Sequence, residues 1–123
     1  MTIQSSWYKI IAGGDFMITQ FKKGVLELIV LLAVGKKDMY GYELIFDVSK
    51  TLDVNEGTIY PLLKRLTNDN CFLTYLVEST EGPPRKYYKI TKEGQIRKKE
   101  LLKEWKLFSN SVNNFIKEMK ENE

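Results

Sequence analysis

Apolar residues along this chain recur first at helical spacing, then in alternation, then at helical spacing again, and each switch marks a change of element. Over residues 18–34, Phe21, Val25, Leu28 and Leu32 step by four, three and four, and residues 25–34 are apolar except for Glu27. Ten such residues fall short of the roughly 20 that a bilayer span needs. A helix apolar all round must therefore be buried on more than one side, and in so short a chain a partner subunit is the simplest cover for the second. Gly35 is expected to end this helix as a left-handed cap.

A second helix is predicted over about residues 42–52, burying Leu44, Ile45, Val48 and Leu52. After the tight Asp53-Val54 connection, Asn55 can cap a third helix. There Ile59, Leu62, Leu63 and Leu66 form an apolar back, while Thr58, Tyr60, Lys64 and Arg65 leave a polar front. Two short helices joined this closely make a helix-turn-helix pattern. Pro61 lies too deep for the first turn and is expected to bend the helix. Asn70, the next-best left-handed residue after Gly, closes it. Residues 72–78 and 85–90 then alternate and are rich in strand formers, with turn chemistry between them. Tyr88 and Ile90 face one way, Tyr87 and Lys89 the other. A hairpin in this place is a wing, with Arg85 and Lys86 at its base.

Thr91 caps the last helix. Along it Leu101, Trp105, Phe108, Val112, Phe115 and Met119 step by 4-3-4-3-4, the seam of a coiled-coil helix. A winged domain of about 75 residues is too small to cover so many large side chains, so self-association is favoured over packing within the chain. The fold class expected is mainly α with a small β-hairpin: a winged helix-turn-helix over residues 17–91 and a long dimerisation helix over residues 92–123. Phe21 and Leu28 on the first helix join the seam as dimer residues.

Composition narrows the function. The 123 residues carry 19 basic and 16 acidic side chains, a net charge of +3, and no histidine. Lacking histidine, the chain has neither the commonest acid–base catalyst nor the commonest metal ligand. An enzyme, a cofactor or a metal site is not expected. The lone Cys71 permits no internal disulfide and suits a reducing, cytoplasmic setting. Residues 1–16 match no export signal. Codons for Ala12-Gly13-Gly14-Asp15 can contain AGGAGGTGA just ahead of Met17, a bacterial ribosome-binding site read as protein. Residues 1–16 are then an upstream extension and Met17 the native start; the alternative is a real arm that brings Trp7 and Ile10 to an interface.

Four stretches in this order resemble the PadR-type transcriptional regulators: Lys23-Gly-Val-Leu-Glu-Leu28, Tyr40-Gly-Tyr-Glu43, Glu56-Gly-Thr-Ile-Tyr-Pro-Leu-Leu-Lys-Arg-Leu66 and Gly82-Pro-Pro-Arg-Lys-Tyr-Tyr-Lys-Ile-Thr91. With Glu93-Gly94 they cover the chain from about Phe21 to Trp105, and the short ending matches the compact members with one C-terminal helix. Asn70 stands where Gly is usual, and Cys71 where an apolar residue is usual. The resemblance implies a homodimeric repressor that places its third helix in the major groove and its wing along the flanking backbone. Carried over by position, Asn55, Thr58, Tyr60 and Lys64 face the DNA together with Tyr40, and Arg65 joins them. Arg85 and Lys86 become the wing contacts. Gly57 would allow close packing or backbone approach at the helix start.

Trp105 matches the tryptophan that, in multidrug-sensing members, stacks flat aromatic compounds between subunits. It is read here either as a ligand-binding residue for a small aromatic effector or as dimer core alone. The partners expected are therefore a pseudo-palindromic double-stranded DNA operator, a second copy of the chain and an aromatic effector, with no membrane. The competing class is a winged-helix adaptor that binds protein without reading DNA, an alternative left open by the slight charge excess of residues 55–92.

Overall fold

The structure is a computed structural model that describes residues 14–121, with side chains from residue 24 onward. Helix α1 spans Gly14–Lys36, strand β1 Met39–Tyr40, helix α2 Gly41–Ser49 and helix α3 Glu56–Asn68. Strands β2 (Phe72–Val77) and β3 (Arg85–Ile90) follow, and helix α4 (Lys92–Glu121) ends the order. Most of the proposed extension at residues 1–16, together with the side chain of Phe21, lies outside the described residues; α1 is already helical at Gly14.

The core forms where one face of each element meets the others. Leu26, Val30, Leu31 and Val34 of α1 pack with Leu44 and Val48 of α2, with Ile59, Leu63 and Leu66 of α3, and with Phe72 and Tyr88 of the sheet. Fully burying a side chain of this size contributes about 1.5–3 kcal/mol. The apolar back expected for α3 thus exists, and its Ile59, Leu63 and Leu66 are wholly inside.

Local signals explain the boundaries. The Asn55 side chain accepts a hydrogen bond from the Thr58 amide at 3.2 Å and caps α3. The helix then runs through Pro61 without a break. Asn70 adopts φ 63°, and the amides of Asn70 and Cys71 donate to the carbonyls of Thr67 and Leu66 at 3.0 and 2.8 Å. Those two bonds are a Schellman ending, so Asn does here what Gly usually does. At the start of α4 the Thr91 hydroxyl accepts from the Gly94 amide at 3.0 Å.

Two expectations are corrected, and the expected hairpin of β2 and β3 is present with a third strand added to it. Gly35 is not a cap: it lies inside α1, where a Cβ would come within 3.2 Å of the Lys98 side chain and 3.5 Å of Ile90. Its missing side chain lets α4 and β3 lie close to α1. The hairpin belongs to a three-stranded sheet of order β1-β3-β2, because Met39 and Tyr40 pair with Tyr88 and Tyr87. Two residues carry no readable periodicity, so β1 left no trace in the pattern. Finally, the second side of α1 faces the chain's own α4, which packs along it.

Candidate nucleic-acid interface

Helix α3 and the wing flank a cleft of about 670 Å³, and Tyr40, Tyr60, Arg85 and Lys86 all line it. Four of the predicted DNA-facing residues are thus gathered at one place from three separate segments. Tyr60 reaches the cleft because Gly41 opposite has no side chain; a Cβ on Gly41 would come within 2.5 Å of the Tyr60 ring. Burial, ahead of the neighbouring Tyr42 and Glu56, raises the Tyr60 phenol above its ordinary range. Tyr60 therefore remains a neutral hydroxyl, able to donate to a phosphate oxygen.

The remaining predicted positions, on α3 and at its cap, do not line this cleft. Asn55 and Lys64 are exposed and Thr58 is half-buried. Asn55 is occupied as the cap, with its oxygen also 3.4 Å from the Thr58 hydroxyl. Lys64 lies one turn beyond Tyr60, where a long cation can follow a backbone. Gly57 is open to solvent with only Asn55 Oδ1 near its missing Cβ, at 3.2 Å, which leaves backbone approach rather than internal packing as its use. Arg65 is placed differently from Lys64. Its guanidinium is 3.5 Å from Glu27 of α1 and 3.8 Å from Asp69. Glu27 also accepts a 2.7 Å hydrogen bond from Arg97, so one carboxylate joins α1, α3 and α4.

Two residues escaped the sequence reading. Tyr42 is 61% exposed, lines the cleft and meets Tyr60 edge-on with ring centroids 6.4 Å apart. Its signal was present, since a large aromatic at the exposed start of a helix has no core to fill. Tyr75 had no such signal: its hydroxyl donates to Asp38 at 2.6 Å across 37 positions of sequence. That bond, then burial, pushes the Tyr75 phenol up to about 12.

A second, apolar cleft of about 510 Å³ lies between α1 and α4, walled by Val25, Leu28, Leu101, Trp105, Phe108 and Val112, with Glu104 and Asn113 also lining it. Leu28 is already buried within its own chain, and Leu101 is half-buried against the core. The rest of the seam is not: Trp105 is 42% exposed and Phe108 and Phe115 more than 60%, with Val112 and Met119 also open. Among the described residues no cluster of carboxylates and thiols could hold a metal ion, and no helix is long and apolar enough to cross a membrane.

The sequence profile described as the transcriptional regulator PadR-like family matches residues 30–100. A relative from Lysinibacillus sphaericus, itself uncharacterised, is 34% identical over 87 residues, covering 68% of this chain and 80% of that one. A PadR-like transcriptional regulator from Bacillus cereus is 39% identical, with 79% of this chain and 96% of that chain covered and a TM-score of 0.72. For a PadR-like transcription factor from Bacteroides fragilis the identity is 42%, the coverage 82% and 99%, and the TM-score 0.69.

Proposed function

This chain belongs to the PadR-like family of transcriptional regulators, and from that premise we propose that it is a homodimeric repressor that reads a pseudo-palindromic operator and releases it on binding a planar aromatic compound. The observation that carries the DNA-reading part is the cleft between α3 and the wing, where Tyr40, Tyr60, Arg85 and Lys86 converge. All four side chains offer donors, and phosphate oxygens accept them. Lys64 and Thr58 extend the reading surface along α3, with Asn55 at its start, and Lys64 can also reach guanine. Arg65 contributes by fixing α3 to α1 through Glu27, and reaches DNA only if those pairs open. The division into a reading domain over residues 17–91 and an associating helix beyond it follows the same logic.

The exposed seam from Trp105 to Met119 supports the dimer, since an isolated chain would leave Trp105, Phe108 and Phe115 in water. Two α3 helices related by a two-fold would then lie about 34 Å apart, one turn of DNA. The apolar cleft beside Trp105 supports the effector reading: it is lined by aliphatic and aromatic groups and bounded by one wall of the same seam. A ligand there would change how α1 and α4 meet, and hence the spacing of the two reading helices. A regulator of this kind works on DNA in the cytoplasm.

The test is a mobility shift with the DNA upstream of the protein's own gene. A complex that survives competitor and weakens steeply with salt is the expected result. Its absence there and at neighbouring promoters would overturn the reading in favour of a protein-binding adaptor. For the effector, planar dyes are titrated against tryptophan emission in a Trp7→Phe background. Quenching of the remaining Trp105 emission, with DNA affinity lowered by the same dye, is expected; no change in emission or in DNA affinity leaves Trp105 as dimer core.

A further inference from the structure

Each of the three strands contributes one tyrosine to the same sheet face, and the register sets them side by side: Tyr40 on β1 opposes Tyr87 on β3, which opposes Tyr75 on β2. They occupy the sheet face opposite the buried Phe72 and Tyr88. Tyr75 and Tyr87 stack almost flat, with centroids 5.6 Å apart and planes 16° from parallel. Tyr87 in turn meets Tyr40 at 5.4 Å. One end of the row is tied by the 2.6 Å hydrogen bond from the Tyr75 hydroxyl to Asp38, which immediately precedes β1. Because β3 lies between β1 and β2, this bond ties β2 to the residue that leads into β1, across the central strand. At the other end the Arg85 guanidinium sits 4.6 Å from the Tyr40 ring centroid. Among the described residues no carboxylate pairs with Arg85, so the ring is its seat.

We propose that Asp38, Tyr75 and Tyr87 are positioning residues for DNA binding, holding Tyr40 and, through it, the Arg85 guanidinium in the orientation that meets a backbone phosphate. This inference rests on the DNA-binding reading above. A free arginine at the base of a wing samples many rotamers and must give them up on binding, which weakens the complex. A guanidinium laid on a ring face has already given them up, and its N–H groups still point outward in the plane. The stack itself is held because its far end is hydrogen-bonded rather than loose. Asp38 and Tyr75 thus act on DNA affinity without touching DNA.

The test uses the full-length chain and a mixed-sequence duplex at low salt, since a phosphate contact carries no sequence information. Tyr75→Phe keeps the stack and removes only the hydroxyl; it is expected to weaken binding roughly three- to tenfold. Asp38→Ala should do the same, and Asp38→Asn, which retains an acceptor oxygen, should restore most of the affinity. In an Arg85→Ala background Tyr75→Phe is expected to have no further effect, whereas additive losses would mean that Tyr75 acts elsewhere and would overturn the proposal. A second readout needs no DNA: Arg85 Nε relaxation should report a rigid side chain that loosens in Tyr75→Phe. An Arg85 already mobile in the wild type overturns the ladder whatever the DNA result. Wild-type binding left unchanged by Tyr75→Phe sinks the ladder alone, while a wild type that binds no duplex sinks the DNA reading and the ladder with it.

Discussion

Replacing Gly94 by Ala puts a methyl group where the chain has no room. The new Cβ would lie 2.3 Å from the Cys71 carbonyl oxygen and 2.6 Å from Ile90 Cγ1, in the buried first turn of α4. That is about 1 Å short of an ordinary non-bonded contact. The obstacle is backbone, and it is pinned: the Cys71 carbonyl accepts from the Thr91 amide at 2.9 Å, with the Thr91 hydroxyl 3.1 Å away. Moving α4 outward would therefore stretch the Thr91 cap and part Ile90 from its neighbours. Overpacking of this kind costs about 1–3 kcal/mol, and a weakened cap about 1 kcal/mol more. Against this stands the gain of Ala over Gly in a helix, about 1 kcal/mol. The net is a loss of roughly 1–3 kcal/mol, or on the order of 4–12 °C in melting temperature for a chain of this size. Thermal unfolding followed by circular dichroism at a fixed protein concentration measures it. Gly82→Ala is the control, because a Cβ there meets nothing within 4 Å. If Gly94→Ala melts within about 2 °C of the wild type, the close approach of α4 to the Asn70–Cys71 turn is wrong as described.

Three further outcomes follow from the geometry. Gly41→Ala pushes on the Tyr60 ring rather than on backbone, so it should weaken duplex binding about tenfold while costing less stability than Gly94→Ala; parallel melting and mobility-shift measurements separate the two, and a variant that binds normally would remove Tyr60 from the reading surface. The Tyr75 phenol, held up to about 12 by Asp38 against an ordinary 10.0, favours its protonated form in the folded chain. Its contribution is complete below pH 10 and is lost as pH rises toward 12, so wild-type stability should fall through that window more steeply than that of Tyr75→Phe, as urea unfolding at several pH values will show. For the proposed homodimer, Phe115→Glu, at a seam position more than 60% exposed in one chain, should shift sedimentation from dimer to monomer while the helical signal persists; an unchanged dimer would place the contact elsewhere, and a monomeric wild type would overturn the proposed dimer.

The parts of this molecule legible in the sequence are those governed by local rules. The apolar back of α3, the Asn55 and Thr91 caps and the left-handed Asn70 each depend on a few neighbouring residues, and each is found where expected. The parts that were hidden depend on distant residues. Strand β1 exists only because β3 offers it an edge, and Tyr75 finds Asp38 only once three strands are in register. Gly35 looked like a cap because Lys-Lys-Asp follows it, but α4 needs that gap in α1 to approach. Lys64 and Arg65 look like a basic pair in sequence. On a helix, neighbouring residues point about 100° apart, so one faces solvent while the other turns to Glu27. Of the predicted surface, the cleft-lining four came together from sequence positions that only the fold makes adjacent.

The central claim is that α3 and the wing meet DNA with Lys64 and Arg85 on phosphates. Its most direct test is the salt dependence of duplex binding, measured by fluorescence anisotropy for the wild type, Lys64→Ala and Arg85→Ala. Each lost phosphate contact should lower the slope of log affinity against log salt by about 1 and weaken binding at every salt concentration. Slopes identical to that of the wild type in both variants would contradict the claim.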